Sequence, residues 1–208
     1  DIQTGASFKK EQANANKKGI RILRGGNILP NKYIFKDDDV FVSEEFVNAN
    51  TILKKNSIIT PAVTSLENIG KMAVIEKDYK NVSAGGFVFI ISPYIQDFSH
   101  SLLLAYFLQS PFLIEAMRGI TKKSGAAFYN LGKERLKELY LPLPPTAEQG
   151  RIVGKINEVL SSIGRRRKMG LYVLMKKYHL RYRQIGHGYD LTIFALLYIE
   201  ANRPNIAQ

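Results

Sequence analysis

Carboxylates at short spacing can hold a divalent cation for nuclease chemistry, and two stretches of the sequence offer them. They are the aspartate triplet at 37–39 and the segment EKDYK at 76–80. Each stretch is short and local, so a solvated turn is the simpler interpretation of both. The three histidines, His100, His179 and His187, lie far apart in the sequence, and none has a partner at metal-ligand spacing. We therefore expect no metal site.

Motifs for nucleotide, S-adenosylmethionine or nucleophilic chemistry are missing from the sequence. It contains no GxxxxGK[ST] loop, no GxGxxG after a strand and no GxSxG motif. The pairs Gly25-Gly26 and Gly85-Gly86 are better explained as turns. Pro144-Pro145 is followed by Thr146 rather than by the aromatic residue of amino-methyltransferases. The sequence thus predicts a chain that is not an enzyme and that needs no cofactor.

Positive charge is the strongest compositional signal, with a formal net charge of +12 at pH 7. One basic cluster lies at 9–24, and a denser one at 151–183 contains Glu158 as its single acidic residue. Such an excess favours association with a polyanion through phosphate contacts. Charge alone does not distinguish DNA from RNA or anionic lipid. A solvated basic surface without a partner also stays open.

The absence of cysteine excludes disulfides and thiolate metal sites. It fits a reducing compartment, and we expect a cytoplasmic protein. The longest apolar run, at 102–108, is far shorter than the roughly 20 residues that a membrane span needs. The chain begins with Asp1 rather than Met, which indicates a processed, trimmed or partial chain.

The pattern from 20 to 144 predicts an α+β fold, mixed and rich in antiparallel strands. Short strands are expected in IRIL, KYIF, VFV, NSIITPAV, KMAVIEK and GGFVFIIS, with a last strand in YLPLP. Residues 97–120 predict two helices that are split at Pro111, and LGKERLKEL predicts a short helix. Segments 6–19 and 121–130 are basic and lack an apolar period, so we predict loops there.

The stretch LPLPPTAEQGRIVGKINEVL at 141–160 predicts a Pro-Pro stop followed by a capped helix. Thr146 fits the N-cap, and Gln149 three residues later completes a capping box. Behind them lies a helix-pairing stripe with spacings of 4, 3 and 4, formed by Ile152, Ile156, Val159 and Ile163. Pairing with another helix and packing on its own domain both remain open.

Three regions follow from this pattern. We expect an α+β domain at 1–145, a helical spacer or dimerisation region at 146–185, and a C-terminal helix of unknown role at 186–208. The fold would therefore end in long C-terminal helices.

Basic loops with hydrogen-bonding side chains are the best candidates for a binding site. Arg, Lys, Asn and Gln can read base edges, while Lys and Ser can hold phosphates. Polar loops are also the default surface of any domain, so each loop by itself is a weak signal. The candidates for DNA contact are Lys9, Lys10, Lys17, Lys18, Arg21, Arg24, Asn27, Lys32, Tyr33, Lys122, Lys123, Ser124 and Tyr129.

Segment 141–160 resembles the end of each target-recognition domain in the specificity subunits of type I restriction–modification enzymes. In that family a strand with P-x-P-P-x-x-E-Q leads into a long helix. The matching residues here are Pro142, Pro144, Pro145, Glu148, Gln149, Ile152 and Ile156. Other pieces, such as LKKNSIITPAVTSLENIGKMAVIEK, agree in order, with Ser57 where the family usually has Asp. The resemblance covers residues 2 to about 163.

The resemblance implies a non-catalytic reader of double-stranded DNA. Such a domain selects one half of a bipartite target, and its helix acts as a spacer and docks methyltransferase subunits. The restriction subunit joins the complex through them. The family's subunit repeats the domain and helix, whereas this chain holds one copy of each. It could be half of a subunit, a fragment, or a half-length form that pairs with itself through its C-terminal helices.

Two other interpretations stay open at this point. The chain could be the C-terminal recognition region of a fused restriction–methyltransferase enzyme. It could also be a helical assembly module that does not bind DNA and is basic for solubility.

Overall fold

The computed structural model describes residues 1–14, 16–124 and 128–165, with side chains in the last helix as far as Ser161. It divides between Pro142 and Leu143 into two compact units. Within the described residues no helix is both long and apolar enough to cross a bilayer.

The first unit contains short strands and three helices among the described residues. The strands are β1 (Ile2–Thr4), β2 (Ala13–Asn14), β3 (Ile20–Leu23), β4 (Ile28–Leu29), β5 (Lys32–Tyr33), β6 (Val40–Val42), β7 (Ile58–Pro61), β8 (Val63–Thr64), β9 (Ala73–Val74), β10 (Val82–Ala84), β11 (Val88–Ile91), β12 (Thr121–Ser124) and β13 (Phe128–Leu131). The helices are α1 (Phe98–Leu108), α2 (Pro111–Gly119) and α3 (Lys133–Lys137). The prediction of an α+β fold with antiparallel sheets is confirmed.

The central sheet has the order β1-β11-β7-β9, and each neighbouring pair is antiparallel. Its inner strand β7 is buried along its whole length. Because side chains alternate across a strand, Ile58 enters one apolar cluster with α1 and α2, while Ile59 enters a second. Burial on both faces explains why two adjacent isoleucines, Ile58 and Ile59, stand in this strand. Its neighbour β9 lies in the predicted strand KMAVIEK.

A second sheet has the order β10-β3-β6-β2, in which β10 and β3 are parallel. It covers a third apolar cluster of Ala6, Ile20, Ile22 and Val42. The prediction that 6–19 forms a loop was wrong in part. A 3-10 turn occupies Lys10–Gln12, and β2 pairs with β6 through Ala13 and Asn14.

The third sheet, β12-β13-β8, corrects the other predicted loop. Segment 121–130 was predicted to be irregular, yet β12 and β13 form an antiparallel hairpin. The hairpin is attached to the domain by β8, which pairs with Tyr129 and Asn130. Its polar residues are weak strand formers, so this distant pairing decides the conformation.

The predicted break between the first two helices is confirmed. Asp97 caps α1 by accepting the His100 N–H at 2.8 Å, and Ser110 caps α2 ahead of Pro111. Proline suits this first helical position because its missing N–H would have no partner there. The predicted strand in YLPLP was wrong, since residues 139–145 contain no strand.

The described part of the second unit contains helix α4 (Thr146–Arg165). The predicted N-cap was wrong by one residue, because the helix begins at Thr146 itself. The Glu148 N–H donates to the Pro145 carbonyl at 2.8 Å. Gln149 is buried and donates from Nε2 to the Pro144 carbonyl at 3.0 Å. The Pro-Pro stop is thus tied to the first turn of the helix. The C-terminal helix predicted at 186–208 lies outside the described residues.

Candidate nucleic-acid interface

Two short segments of the first unit, 61–63 and 85–87, hold three basic parts of the chain together. The Ala62 N–H donates to the Phe87 carbonyl at 2.8 Å, which joins the two segments. On one side the Leu131 N–H donates to the Ala62 carbonyl at 2.8 Å, which attaches the β12–β13 hairpin. The hairpin is therefore fixed to the central sheet by backbone hydrogen bonds.

The N-terminal basic segment reaches the same place. The Ala6 N–H donates to the Ala84 carbonyl at 2.7 Å, and Ala6 bridges Gly85. A side chain on Gly86 would lie 3.6 Å from the Ser7 Cα. Lys9 and Lys10 follow within three residues.

The turn that contains Arg24 is the third part. The Gly85 N–H donates to the Leu23 carbonyl at 2.8 Å, and a methyl group on Gly25 would lie 3.6 Å from the Pro61 Cβ. Residues 5–10, 24–27, 61–63, 85–87, 121–124 and 128–131 thus form one region, which we call the basic edge.

Lysines of the basic edge point their charge into solvent. Lys9, Lys10, Lys122 and Lys123 are exposed. None of these four belongs to an ion pair among the described residues. Uncompensated exposed ammonium groups are what phosphate contacts require.

Arg21 and Arg24 are held by neighbouring side chains instead. The Arg21 guanidinium lies 4.6 Å from the Phe35 ring centroid and 4.9 Å from that of Phe41. Arg24 donates from Nη2 to the Asp38 carbonyl at 3.1 Å and remains half-exposed. Arg24 can therefore still face a ligand, whereas Arg21 is engaged in stacking.

Asn27 and Asp39 form a buried polar centre beneath the Arg24 turn. Asn27 is 1% exposed, accepts the Arg24 N–H at 2.8 Å, and donates to the Ile34 carbonyl at 3.0 Å and to Asp39 Oδ1 at 2.5 Å. Asp39 Oδ2 accepts the Lys36 N–H at 2.9 Å and lies 3.7 Å from Arg21 Nε. The buried Asn27 side chain thus stabilises the turn that contains Arg24. Sequence pattern could not show this, because the Ile34 carbonyl and the Asp39 carboxylate reach Asn27 only through the folded path of residues 28–38.

The aspartate triplet is therefore split between a buried hydrogen-bonding group and two exposed residues. Across the described residues, no group of three His, Cys, Asp or Glu side chains is arranged to hold a metal ion.

Replacing Asp39 by Ala is expected to lower the free energy of unfolding by about 3 kcal/mol. The substitution leaves the buried amide of Asn27 and the Arg21 guanidinium without their carboxylate. Urea unfolding measures the change, and Asp37→Ala, at an exposed neighbour, is the matched control with a change near zero. Equal stability of the two variants would contradict this role of Asp39.

Comparison of the sequence with known protein families identifies the family of this chain. Residues 1–168 match the type I restriction modification DNA specificity domain. The chain belongs to this family. The resemblance carried by the Pro-Pro segment and helix is thereby confirmed, and DNA sequence recognition is the role that the family's description names.

The chain is also similar to a solved crystal structure, that of the type I restriction–modification system S subunit from M. genitalium. Sequence identity is 19%, the TM-score is 0.47, and the match covers 81% of this chain and 40% of the other. This chain thus matches less than half the length of that subunit. No match was found among curated protein sequences.

The other predicted contact residues of the specificity domain divide between two places. Ser124 belongs to the basic edge, whereas Lys17, Lys18, Lys32 and Tyr33 lie outside it. Lys17 and Lys18 are exposed just before β3, and the four residues of that strand, roughly 13 Å in length, lie between them and Arg24. Lys32 is exposed, and Tyr33 is half-buried. Ser124 is exposed at the tip of the hairpin.

Tyr33 belongs to an aromatic pocket of about 310 Å³ that Phe35 and Tyr79 also line. The rings meet edge to face, with centroids 6.0 to 6.4 Å apart, and the Tyr33 and Tyr79 hydroxyls are 2.8 Å apart. Burial, reinforced by the hydrogen bond to Tyr79, raises the pKa of the Tyr33 hydroxyl above its ordinary value. The hydroxyl therefore remains protonated at neutral pH.

Tyr33→Phe should make the stability of the specificity domain less sensitive to alkaline pH. A group whose pKa is raised in the folded state contributes stability that is complete below its unfolded pKa of about 10 and decreases as pH rises. The parent should thus lose more unfolding free energy than Tyr33→Phe between about pH 9 and about pH 11. Urea unfolding at both pH values tests this. Tyr94→Phe, at a fully exposed site, should behave like the parent, and equal losses in all three would contradict the prediction.

The predicted helix-pairing stripe begins on a buried face of α4. Ile152, Val153 and Ile156 are buried, and Val159 is half-buried. The side chain of Ile163 and the rest of 166–185 lie outside the described residues. Pairing of this helix with another helix stays a prediction.

Sequence reasoning did not single out Phe87, Phe128 or Asn130. Phe87 and Phe128 are 71% and 56% exposed, and Asn130 is also exposed. The adjacent aromatic residues Phe128 and Tyr129, which favour strands, were the available signal, but segment 121–130 was predicted as a loop.

Proposed function

We propose that this specificity domain binds one half of a bipartite duplex target through the basic edge. The observation that carries the proposal is the convergence of three basic segments on 61–63 and 85–87. Exposed lysines of these segments supply phosphate contacts, which position a protein on DNA without reading sequence. Polar side chains between them can reach base edges.

Helix α4 would dock methyltransferase subunits and act as the spacer. The methyltransferase subunits would bind the cofactor and carry out the methylation. The restriction subunit would join the complex through them. A half-length subunit could also pair with itself through the C-terminal helices, which gives a two-fold arrangement for a palindromic split target. As a reader of cellular DNA, the complex would act in the cytoplasm.

A salt titration of duplex binding tests the DNA-binding part of the proposal. Fluorescence anisotropy of a labelled duplex, measured with the full chain, should give affinity that falls steeply with salt. Six or more phosphate contacts correspond to a loss on the order of 10³ between about 50 and about 200 mM salt. A weak duplex affinity that changes little with salt would instead indicate a helical assembly module that does not bind DNA.

The non-catalytic role has its own test. Purified chain with duplex DNA should neither cleave in Mg²⁺ nor transfer a methyl group from S-adenosylmethionine. Activity in either assay would indicate the recognition region of a fused enzyme and would overturn the proposed role.

A further inference from the structure

The β12–β13 hairpin has one face that packs on the domain at Leu131 and one face that is exposed along its described length, while Lys123, near the end of the first face, is also exposed. Register pairs Thr121 with Leu131 and Lys123 with Tyr129, and Tyr129 with Thr64 of β8. Leu131 and Thr64 are buried, so this face is the inner one.

The opposite face carries four exposed side chains in two cross-strand pairs, Lys122 with Asn130 and Ser124 with Phe128. Because successive side chains alternate, all four project on the same side. The face combines a cation, an amide, a hydroxyl and an aromatic ring.

The outer face has groups without partners in the described part of the chain. The Asn130 amide makes no hydrogen bond among the described residues, and Phe128 is 56% exposed. A single exposed aromatic residue is ordinary. A second lies close by, since the Phe87 carbonyl accepts the Ala62 N–H at 2.8 Å and the Val63 N–H at 3.4 Å, while Val63 pairs with Asn130.

The dimensions of the hairpin suit the major groove of B-DNA. Two strands are about 4.8 Å apart, and the groove is about 12 Å wide and admits a two-stranded ribbon. Among the described residues, β12 and β13 extend beyond the pairing with the third strand, because β8 pairs with Tyr129 and Asn130 but not with Phe128. Ser124 and Phe128 therefore stand beyond the third strand.

The chemistry of the face favours an A·T pair. An asparagine amide can bind N6 and N7 of adenine at once, and an aromatic side chain packs on the 5-methyl group of thymine. Asn130 and Phe128 are two residues apart on one strand, so their positions differ by about 7 Å along the strand. This distance is close to the rise of two base-pair steps.

We infer that the outer face of the β12–β13 hairpin reads bases in the major groove, with Asn130 on an adenine and Phe128 on a thymine methyl group. The recognised half-site then contains A·T pairs within about two steps of each other. This inference rests on the proposed function, because it requires that the basic edge binds duplex DNA.

The test begins with the motif that the parent chain, with its modification subunits, selects from random duplexes. Asn130→Ala should lose discrimination at one A·T position by roughly 5- to 100-fold, and Phe128→Ala at a nearby one. Asn81→Ala and Phe112→Ala, at exposed sites outside the basic edge, should leave the motif unchanged.

Modified bases give a second measurement that needs no variant. Replacing the adenine by 7-deazaadenine should weaken binding of the parent but not of Asn130→Ala. Replacing the thymine by uracil should weaken the parent but not Phe128→Ala.

Each outcome decides between the two claims. A parent motif that both hairpin variants and both base analogues leave unchanged would overturn the inference and leave the proposed function standing. A complex that selects no motif would overturn the proposed function and the inference together.

Discussion

Replacing Lys122 and Lys123 by Ala is expected to weaken duplex binding on the order of 10²-fold at about 0.1 M salt. Both lysines are exposed on β12, and neither has a carboxylate partner among the described residues. Removing two phosphate contacts should also reduce the slope of log affinity against log salt by about 1.8. Fluorescence anisotropy across a salt series measures both quantities.

The matched control is Lys54→Ala with Lys55→Ala. These two lysines are also adjacent and exposed, but they precede β7, whereas the basic edge lies at its other end, at Pro61. The control should retain nearly the affinity and slope of the parent. Equal losses in the two double variants would mean that net charge, rather than the hairpin, determines binding.

Gly5→Ala is expected to destabilise the first unit by at least about 3 kcal/mol, or to prevent folding. Gly5 follows β1 and is buried, and a methyl group there would lie 2.3 Å from the Ala84 carbonyl oxygen and 2.5 Å from that of Gly85. Those contacts are with backbone that is already paired, since Ala84 accepts from Ala6. The clash therefore cannot be relieved by rotating a side chain.

Urea unfolding or thermal melting measures this effect, and Gly119→Ala is the matched control. Gly119 ends α2, and a methyl group there meets no atom within 4 Å. The control should be neutral or gain up to about 1 kcal/mol in helix propensity. A Gly5→Ala chain that melts with the parent would contradict the close packing of Gly5 against Ala84 and Gly85 at the basic edge.

Local signals predicted much of this fold. The α1–α2 break follows from Ser110 and Pro111, which act on the backbone next to them. Strand β11 is predictable because burial on both faces favours a continuous apolar run such as VFII. Strand β7 is predictable from its adjacent isoleucines, which end at Pro61. The helix after Pro145 could be predicted for the same local reasons.

The candidate site could be predicted only in part. Lysines at 9–10 and 122–123 were predicted from composition, but their convergence depends on backbone pairing of Ala62 and Phe87 with distant strands. The hairpin was missed because its pairing with β8 is non-local. Asn27 has the residue type of a base reader, yet Asp39 and Ile34 hold it inside the domain.

The most direct test of DNA recognition is selection from a random duplex pool by the chain with its modification subunits. We predict enrichment of a gapped, reproducible motif, and of a palindromic one if two copies pair through their helices. A complex that forms but enriches no sequence would leave the docking role of α4 intact and would contradict sequence reading by the basic edge.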